Sequence, residues 1–385
     1  MVFRRIISRA HFVSMVAMLI AIAAPQAAHA SHFQNIAFPP SLPAMVAVGQ
    51  NGALWVGSDN STTPSVSLMS ANGSLTSTFD NSTTPGANFA KPQGIAVDQN
   101  GDAWIANNVT TATAGVTELG PTGTLIANYN TSTTPMAHFN DPVSVRISSA
   151  GNIWISNFGS NSVVELSPGG VVLSYVDNSN TAAARFSSPG GMAIDKQGNI
   201  WIDNFANNSV TELDPNGAFK KNITNSTGAN FGGPDGIAVD QKGNIWIANH
   251  LNNSITELSS KGSFKKNFTN ANRKGANLNS PAVIAVDRRG DIWITNFGGV
   301  GSVTELDKNG KLIANYNNNN SSGAGFSACF GIALNQNGIW VANFSGASLT
   351  QIIPKKFNQI VPQFFPYGGQ ISKGSPNGPL WPGSL

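Results

Sequence analysis

GIAVDQKGNIWIANHLNNSITEL, residues 236–258, reads as three short strands in succession. Residues 236–240 are short and apolar, suited to a crowded innermost position in a sheet. Residues 241–244 make a tight turn, with Asp240 placed to cap it and Gly243 free to take a positive φ. Residues 245–249 form a second strand, 250–253 a loop, and 254–258 a third strand. Gly262 turns the chain again, and the more polar run 263–268 is an outer fourth strand. Apolar and polar positions alternate between Gly- and Asn-bearing turns, as strands require. No segment after residue 30 carries helical periodicity.

The same unit recurs seven times, marked by Trp55, Trp104, Trp154, Trp201, Trp246, Trp293 and Trp340. A period in the forties with several strands per unit predicts an all-β chain folded as a single β-propeller. Seven four-stranded blades are expected, with six as the alternative count. Unit three is looser, and unit one, from Met45, is degenerate. Unit seven loses the pattern after its third strand at 348–352. A closed ring leaves no open sheet edge, so a terminal strand must complete one blade. The candidates are 33–38 and 358–364.

Residues 1–30 read as a secretory signal peptide. They carry Arg4, Arg5 and Arg9, an apolar run over 13–24, and a small-residue site at Ala28-His29-Ala30. The apolar run is too short to span a membrane. The domain expectation is therefore leader 1–30, propeller 31–353, and a Pro/Gly-rich tail 354–385 that shares in ring closure or lies over the ring. Of 22 Lys+Arg and 19 Asp+Glu in the whole chain, three Arg lie in the leader, which leaves 19 of each. A balanced charge argues against a nucleic-acid partner. The pairs Lys220-Lys221 and Lys265-Lys266 read as solvated outer-strand residues that protect sheet edges. One cysteine, Cys329, excludes a disulfide framework. It stands where Pro92, Pro142, Pro189, Pro234 and Pro281 open the other units, so its role is structural.

On these residues the chain resembles the NHL-repeat and streptogramin-lyase (virginiamycin B lyase-like) propellers, over roughly 45–353. Seven units favour the lyases' ring over the six-bladed ring typical of NHL domains. The resemblance implies elimination on a cyclic depsipeptide, with a His acid or base and a divalent metal held by carboxylates. It also implies Glu at the end of the motif after each Trp. This chain has Asn107, Asn157, Asn204, Asn249, Asn296 and Asn343 there, and Ser58 in unit one. No metal ligand set is assigned, and Mg²⁺ is expected only under the lyase reading.

The six asparagines should gather on the face that carries the loops after the second strands. They read either as a polar rosette that binds a sugar, peptide or ion, or as turn caps internal to each blade. Residues that break the repeat are the catalytic candidates. His250 replaces Phe158, Phe205, Phe297 and Phe344 of sister units. Asp235 occupies a slot held elsewhere by Gln93, Val143, Gly190, Ala282 and Phe330. The two share one unit and one rim, the nearest thing to an acid–base pair. His138, before Phe139 on another such loop, is the third candidate. Asp203 lies within the strand of Trp201, with no evident partner. The repeated Glu118, Glu165, Glu212, Glu257 and Glu305 read as solvated, or as paired with outer-strand Lys. The Asp-x-x-Gly turns, such as 98–101, faintly resemble calcium loops but lack a later acidic ligand.

The expectation is an exported protein, periplasmic or extracellular, that acts as a binding or interaction module through its loop-bearing face. Its partner would be a small molecule, a glycan or an envelope protein, and a monomer is expected. A metal-dependent carbon–oxygen lyase is the alternative.

Overall fold

A computed structural model describes residues 30–38, 42–60, 62–111 and 113–354. The leader and tail fall on 1–29 and 355–385, outside the described residues, save Ala30 and Pro354 at the ends of strands. The described chain forms seven four-stranded antiparallel sheets. Blade 1 spans 43–80, blade 2 92–130, blade 3 142–177, blade 4 189–224, blade 5 234–269 and blade 6 281–316; blade 7 takes its inner strands from 329–354. The innermost strands contact one another in ring order and return from blade 7 to blade 1. The count is therefore seven, not six.

Closure uses the N-terminal strand. Ala30–Ala37 pairs antiparallel with Ser348–Pro354, with Ile36 opposite Leu349. This joins the first and last described strands in one sheet and covers the facing edge of each. The other candidate, 358–364, lies outside the described residues.

Blade 5 shows why the motif makes this unit. Ala238 pairs with Trp246, Trp246 with Glu257, and Glu257 with Lys266, from the axis outward. Its innermost strand starts earlier than the apolar run suggested, at Pro234, with an irregular register before Gly236. Proline is tolerated at that first position because its missing N–H costs no ladder bond. Asp240 Oδ1 accepts the backbone N–H of Lys242 and Asn244, and Gly243 has φ 83°. The expected turn is thus capped as read.

All seven motif tryptophans are buried, each between two blades. Trp201 of blade 4 packs with Ile237, Val239 and Ile245 of blade 5. Trp246 Nε1 donates to Asp240 Oδ2 at 3.2 Å, so the polar tip is satisfied inside an apolar interface. The Asn-rich connections hold themselves. Asn178 donates to Phe186 O at 2.8 Å and accepts from Phe186 N at 2.8 Å, which drives that Phe between blades. Asn81, Asn225, Asn270 and Asn318 repeat the clip.

The ring has two distinct ends. One carries the connections that lead into the innermost strands and the loops after the second strands. The other carries the tight hairpin turns, six or more strand residues away, about 20 Å.

Candidate functional site

Each innermost strand begins at the loop end, so the residues around its first turn of chain crowd the axis. There they enclose a pocket of about 270 Å³ whose lining comes from all seven blades, from Met45 in blade 1 to Phe330 in blade 7. Phe158, Phe205 and Phe330 supply aromatic wall, and Asp141 and Asp235 supply carboxylates.

The structure brings Asp235 and His250 together, as their shared unit suggested. His250 Nδ1 lies 3.2 Å from Asp235 Oδ2, with both side chains roughly a quarter exposed, 24% and 29%. The His250 backbone N–H donates to Gly233 O at 2.9 Å, which fixes the loop. Its ring sits between Phe205 and Phe297, at 6.4 and 6.3 Å between centroids. Phe297 in turn touches Phe330 and Phe344. His250 is thus the one polar ring in an aromatic arc at the rim. His138 does not join it. It caps the short 3₁₀ turn Pro135–Ala137 and packs edge-on against Tyr175, on the outermost strand of blade 3.

The six asparagines are fully buried and do not line the pocket. Asn249 Nδ2 donates to Ser254 Oγ at 3.1 Å and Thr256 Oγ1 at 2.9 Å, and its Oδ1 accepts from Gly232 N. Asn204, Asn296 and Asn343 bond in the same way. Asn107 bonds Thr117 and Ala90 N, while Asn157 bonds Ser162.

Asp203 is a residue whose role the sequence did not disclose. It stands where sister blades have Gly57, Ala106, Ser156, Ala248, Thr295 and Ala342, so it is the sole carboxylate in a slot for small residues. It is fully buried; Oδ1 accepts from Gly191 N at 2.9 Å, and Oδ2 has no hydrogen-bond partner. Gly190 and Gly191, both in the pocket wall, make room for it. A Cβ on Gly190 would lie 2.8 Å from Oδ1, and one on Gly191 2.6 Å from Oδ2. Burial, then the nearby charge of Asp235, hold its carboxyl well above the usual range, and Arg146 pulls the other way. Arg146 is itself buried, in a slot that is Ala in the other six blades. Both residues were legible as breaks in the repeat; what joins them is three-dimensional.

Would this end hold a divalent metal on carboxylates? Among the described residues, no third His, Cys, Asp or Glu ligand atom gathers with Asp235 and His250 within 4.8 Å. One carboxylate and one imidazole are a poor set for Mg²⁺, which takes oxygen ligands in strict octahedral geometry. The residues present at the pocket do not fit that group.

Solved structures with the same fold include virginiamycin B lyase from Staphylococcus aureus, 18% identical with a TM-score of 0.67, over 83% of this chain and 98% of that one. A streptogramin B lyase is 18% identical with a TM-score of 0.66, over 85% and 99% of the two chains. A catalytically inactive variant of the Staphylococcus aureus enzyme, solved with quinupristin, is 17% identical with a TM-score of 0.66, over 83% and 98%. No protein-family model and no curated protein sequence matches the chain.

Proposed function

We propose that this propeller is an exported binding module that takes a small, partly apolar molecule in its axial pocket. The observation that supports this most is the pocket itself: aromatic walls from several blades, with Asp235 and Asp141 placed to orient a polar group. Concave aromatic and carboxylate surface suits a small molecule better than a flat protein partner. Export, to the periplasm or beyond, rests on the leader read in residues 1–30.

A second reading is a lyase of the streptogramin type. It is favoured by the Asp235–His250 pair, which sets a carboxylate oxygen 3.2 Å from an imidazole nitrogen beside the pocket, a separation that a small turn of the ring would convert into the hydrogen bond Nδ1 does not make here. The first probe is quinupristin, the molecule in a structure of the same fold. Full-length protein is incubated with it, with and without Mg²⁺, and followed by thermal shift and by chromatography with mass detection. Binding without turnover raises the melting temperature and returns quinupristin unchanged. The rise should vanish in Phe205→Ala. Elimination instead yields a new peak of identical mass, since ring opening without water is an isomerisation; that outcome replaces the binding reading. If quinupristin and a panel of small amines and sugars all leave the melting temperature unchanged, the binding reading fails.

A further inference from the structure

Resting on the binding reading above, we infer that the axial pocket takes an organic cation, a protonated amine on an apolar body, and that Asp141 is the carboxylate that receives its charge. The charged side chains in the pocket wall are Asp141 and Asp235, with no lysine or arginine among the described residues that line it. An anionic ligand would meet repulsion there and find no counter-charge. Arg146, itself buried, acts on Asp203, which lies behind the wall formed by Gly190 and Gly191.

The backbone places Asp141 for that role. It holds the position before the first-strand proline, where sister blades have Lys91, Ser188, Gly233 and Ser280. Its N–H donates to Val109 O at 2.9 Å, and its carbonyl accepts from Phe158 N at 2.9 Å. One bond ties it to the loop of blade 2, the other to the aromatic wall of the pocket. Asp235 already faces His250 at 3.2 Å. Asp141 is half-buried, and among the described residues its carboxylate makes no ion pair. A carboxylate half out of water attracts a cation more strongly than an exposed one, because less solvent screens it.

Two further features point to a ligand at this corner. Ser144 Oγ, in the same wall, is buried and has no hydrogen-bond partner. Four sister blades have glycine at its position, Gly94, Gly191, Gly236 and Gly331, so the hydroxyl is particular to blade 3. A buried hydroxyl left unpaired is costly, and an ammonium N–H held in the pocket would pair it. The second feature is Phe158. Phe205 and Phe330 pack against His250 and Phe297, whereas Phe158, half-buried in the wall, stacks on no other ring among the described residues. Ammonium groups are drawn both to aromatic faces and to carboxylates, so one cationic group uses Phe158 and Asp141 together. An apolar cavity of about 150 Å³ holds benzene. The pocket, at about 270 Å³, therefore admits one ring with a short amine arm.

Three probes of one shape test this on the full chain at pH 7: the cation 2-phenylethylamine, the neutral 2-phenylethanol and the anion 3-phenylpropionate. Saturation-transfer NMR titrations read their affinities. The amine is expected to bind about tenfold tighter than either analogue, by a margin that shrinks in high salt. Asp141→Asn should weaken the amine about tenfold and leave the alcohol unchanged. Asparagine accepts the φ of 53° at that position, and an unchanged melting temperature checks that the variant folds. Phe205→Ala should weaken amine and alcohol alike. If the alcohol or the anion binds as tightly as the amine, or if Asp141→Asn leaves the amine unaffected, the cation assignment falls and the binding reading stands. If none of the three binds, the assignment also falls, and the quinupristin titration alone then decides the binding reading.

Discussion

Blade 6 and blade 2 carry the same three carboxylates and the same tyrosine on equivalent strands. Their turns differ at two positions, Arg288 against Gln99 and Arg289 against Asn100, and Arg289 is the one that meets the acids. In blade 6 a guanidinium, only 28% exposed, meets all three acids. In blade 2 the same geometry stands without a side-chain cation. Burial pushes Glu118 up to about 7, with the charges of Asp102 and Asp98 adding to it. Burial also pushes Glu305 up to about 7, even with Arg289 pulling it down, because it is the more deeply enclosed. A repeated backbone therefore holds a polar cluster in register, while a single turn position decides what neutralises it.

The largest effect should come from breaking blade 6. Arg289→Met leaves Asp287, Asp291 and Glu305 facing one another without their cation. Stripping one side of a buried charge network costs about 3 kcal/mol. Urea unfolding at pH 8 measures it. The loss should shrink at pH 5, because Asp291, held up near 6 by burial and by Asp287, and Glu305 then take up protons. An equal loss at both pH values would sink the electrostatic account.

The reverse exchange should be smaller. Asn100→Arg gives blade 2 a guanidinium for its three acids and should stabilise the chain at pH 8 by about 1.5 kcal/mol, the worth of a charged hydrogen bond. The gain should fade at pH 5. The sign follows from linkage. Glu118 has a folded value near 7 and an unfolded value of 4.5, so its extra proton affinity favours the folded state fully below 4.5. That contribution is lost as pH rises from 4.5 through 7. An arginine offsets the loss in that same window, and Glu118→Gln should flatten it. Melting curves from pH 4 to 8 for parent and both variants would show whether the window is real.

Much of this was legible in the chain, and for a physical reason. Trp246, Asp240 and Gly243 act within one hairpin, so their spacing reveals their roles. The pairing of Asp235 with His250 was legible for a similar reason: both break the pattern within one unit. The glutamates were legible in part: the pairing read for them with outer-strand Lys holds for Glu212 and Glu257, while solvation does not hold. Glu118 and Glu305 read as solvated because they lie on third strands well out from the axis, yet both are buried. Two outer-strand lysine pairs were read as edge protection. Lys220 and Lys265 instead neutralise buried glutamates across the sheet. Contacts between strands are set by register, and a local motif does not contain it.

The smallest effect tests whether the loop end obeys the same rule as the hairpin end. Asp203, like Glu118, is a buried acid, and the charge that acts on it most strongly is that of Asp235 rather than a cation. Arg146 acts on it but does not bring its carboxyl back to the usual range. Asp203→Asn keeps Oδ1 for the N–H of Gly191 and replaces the unpartnered Oδ2 with a neutral amide. At pH 8 the substitution should raise stability by about 1 kcal/mol, because it removes a carboxyl whose ionised form burial disfavours. The gain should shrink as the pH falls, since burial favours the protonated carboxyl. A loss of stability at pH 8 would mean that the ionised carboxylate is wanted, with Arg146 as its partner. The two ends of the ring would then differ in kind: charge compensated by arginine at the axis, and in blade 2 carboxyls without a side-chain cation.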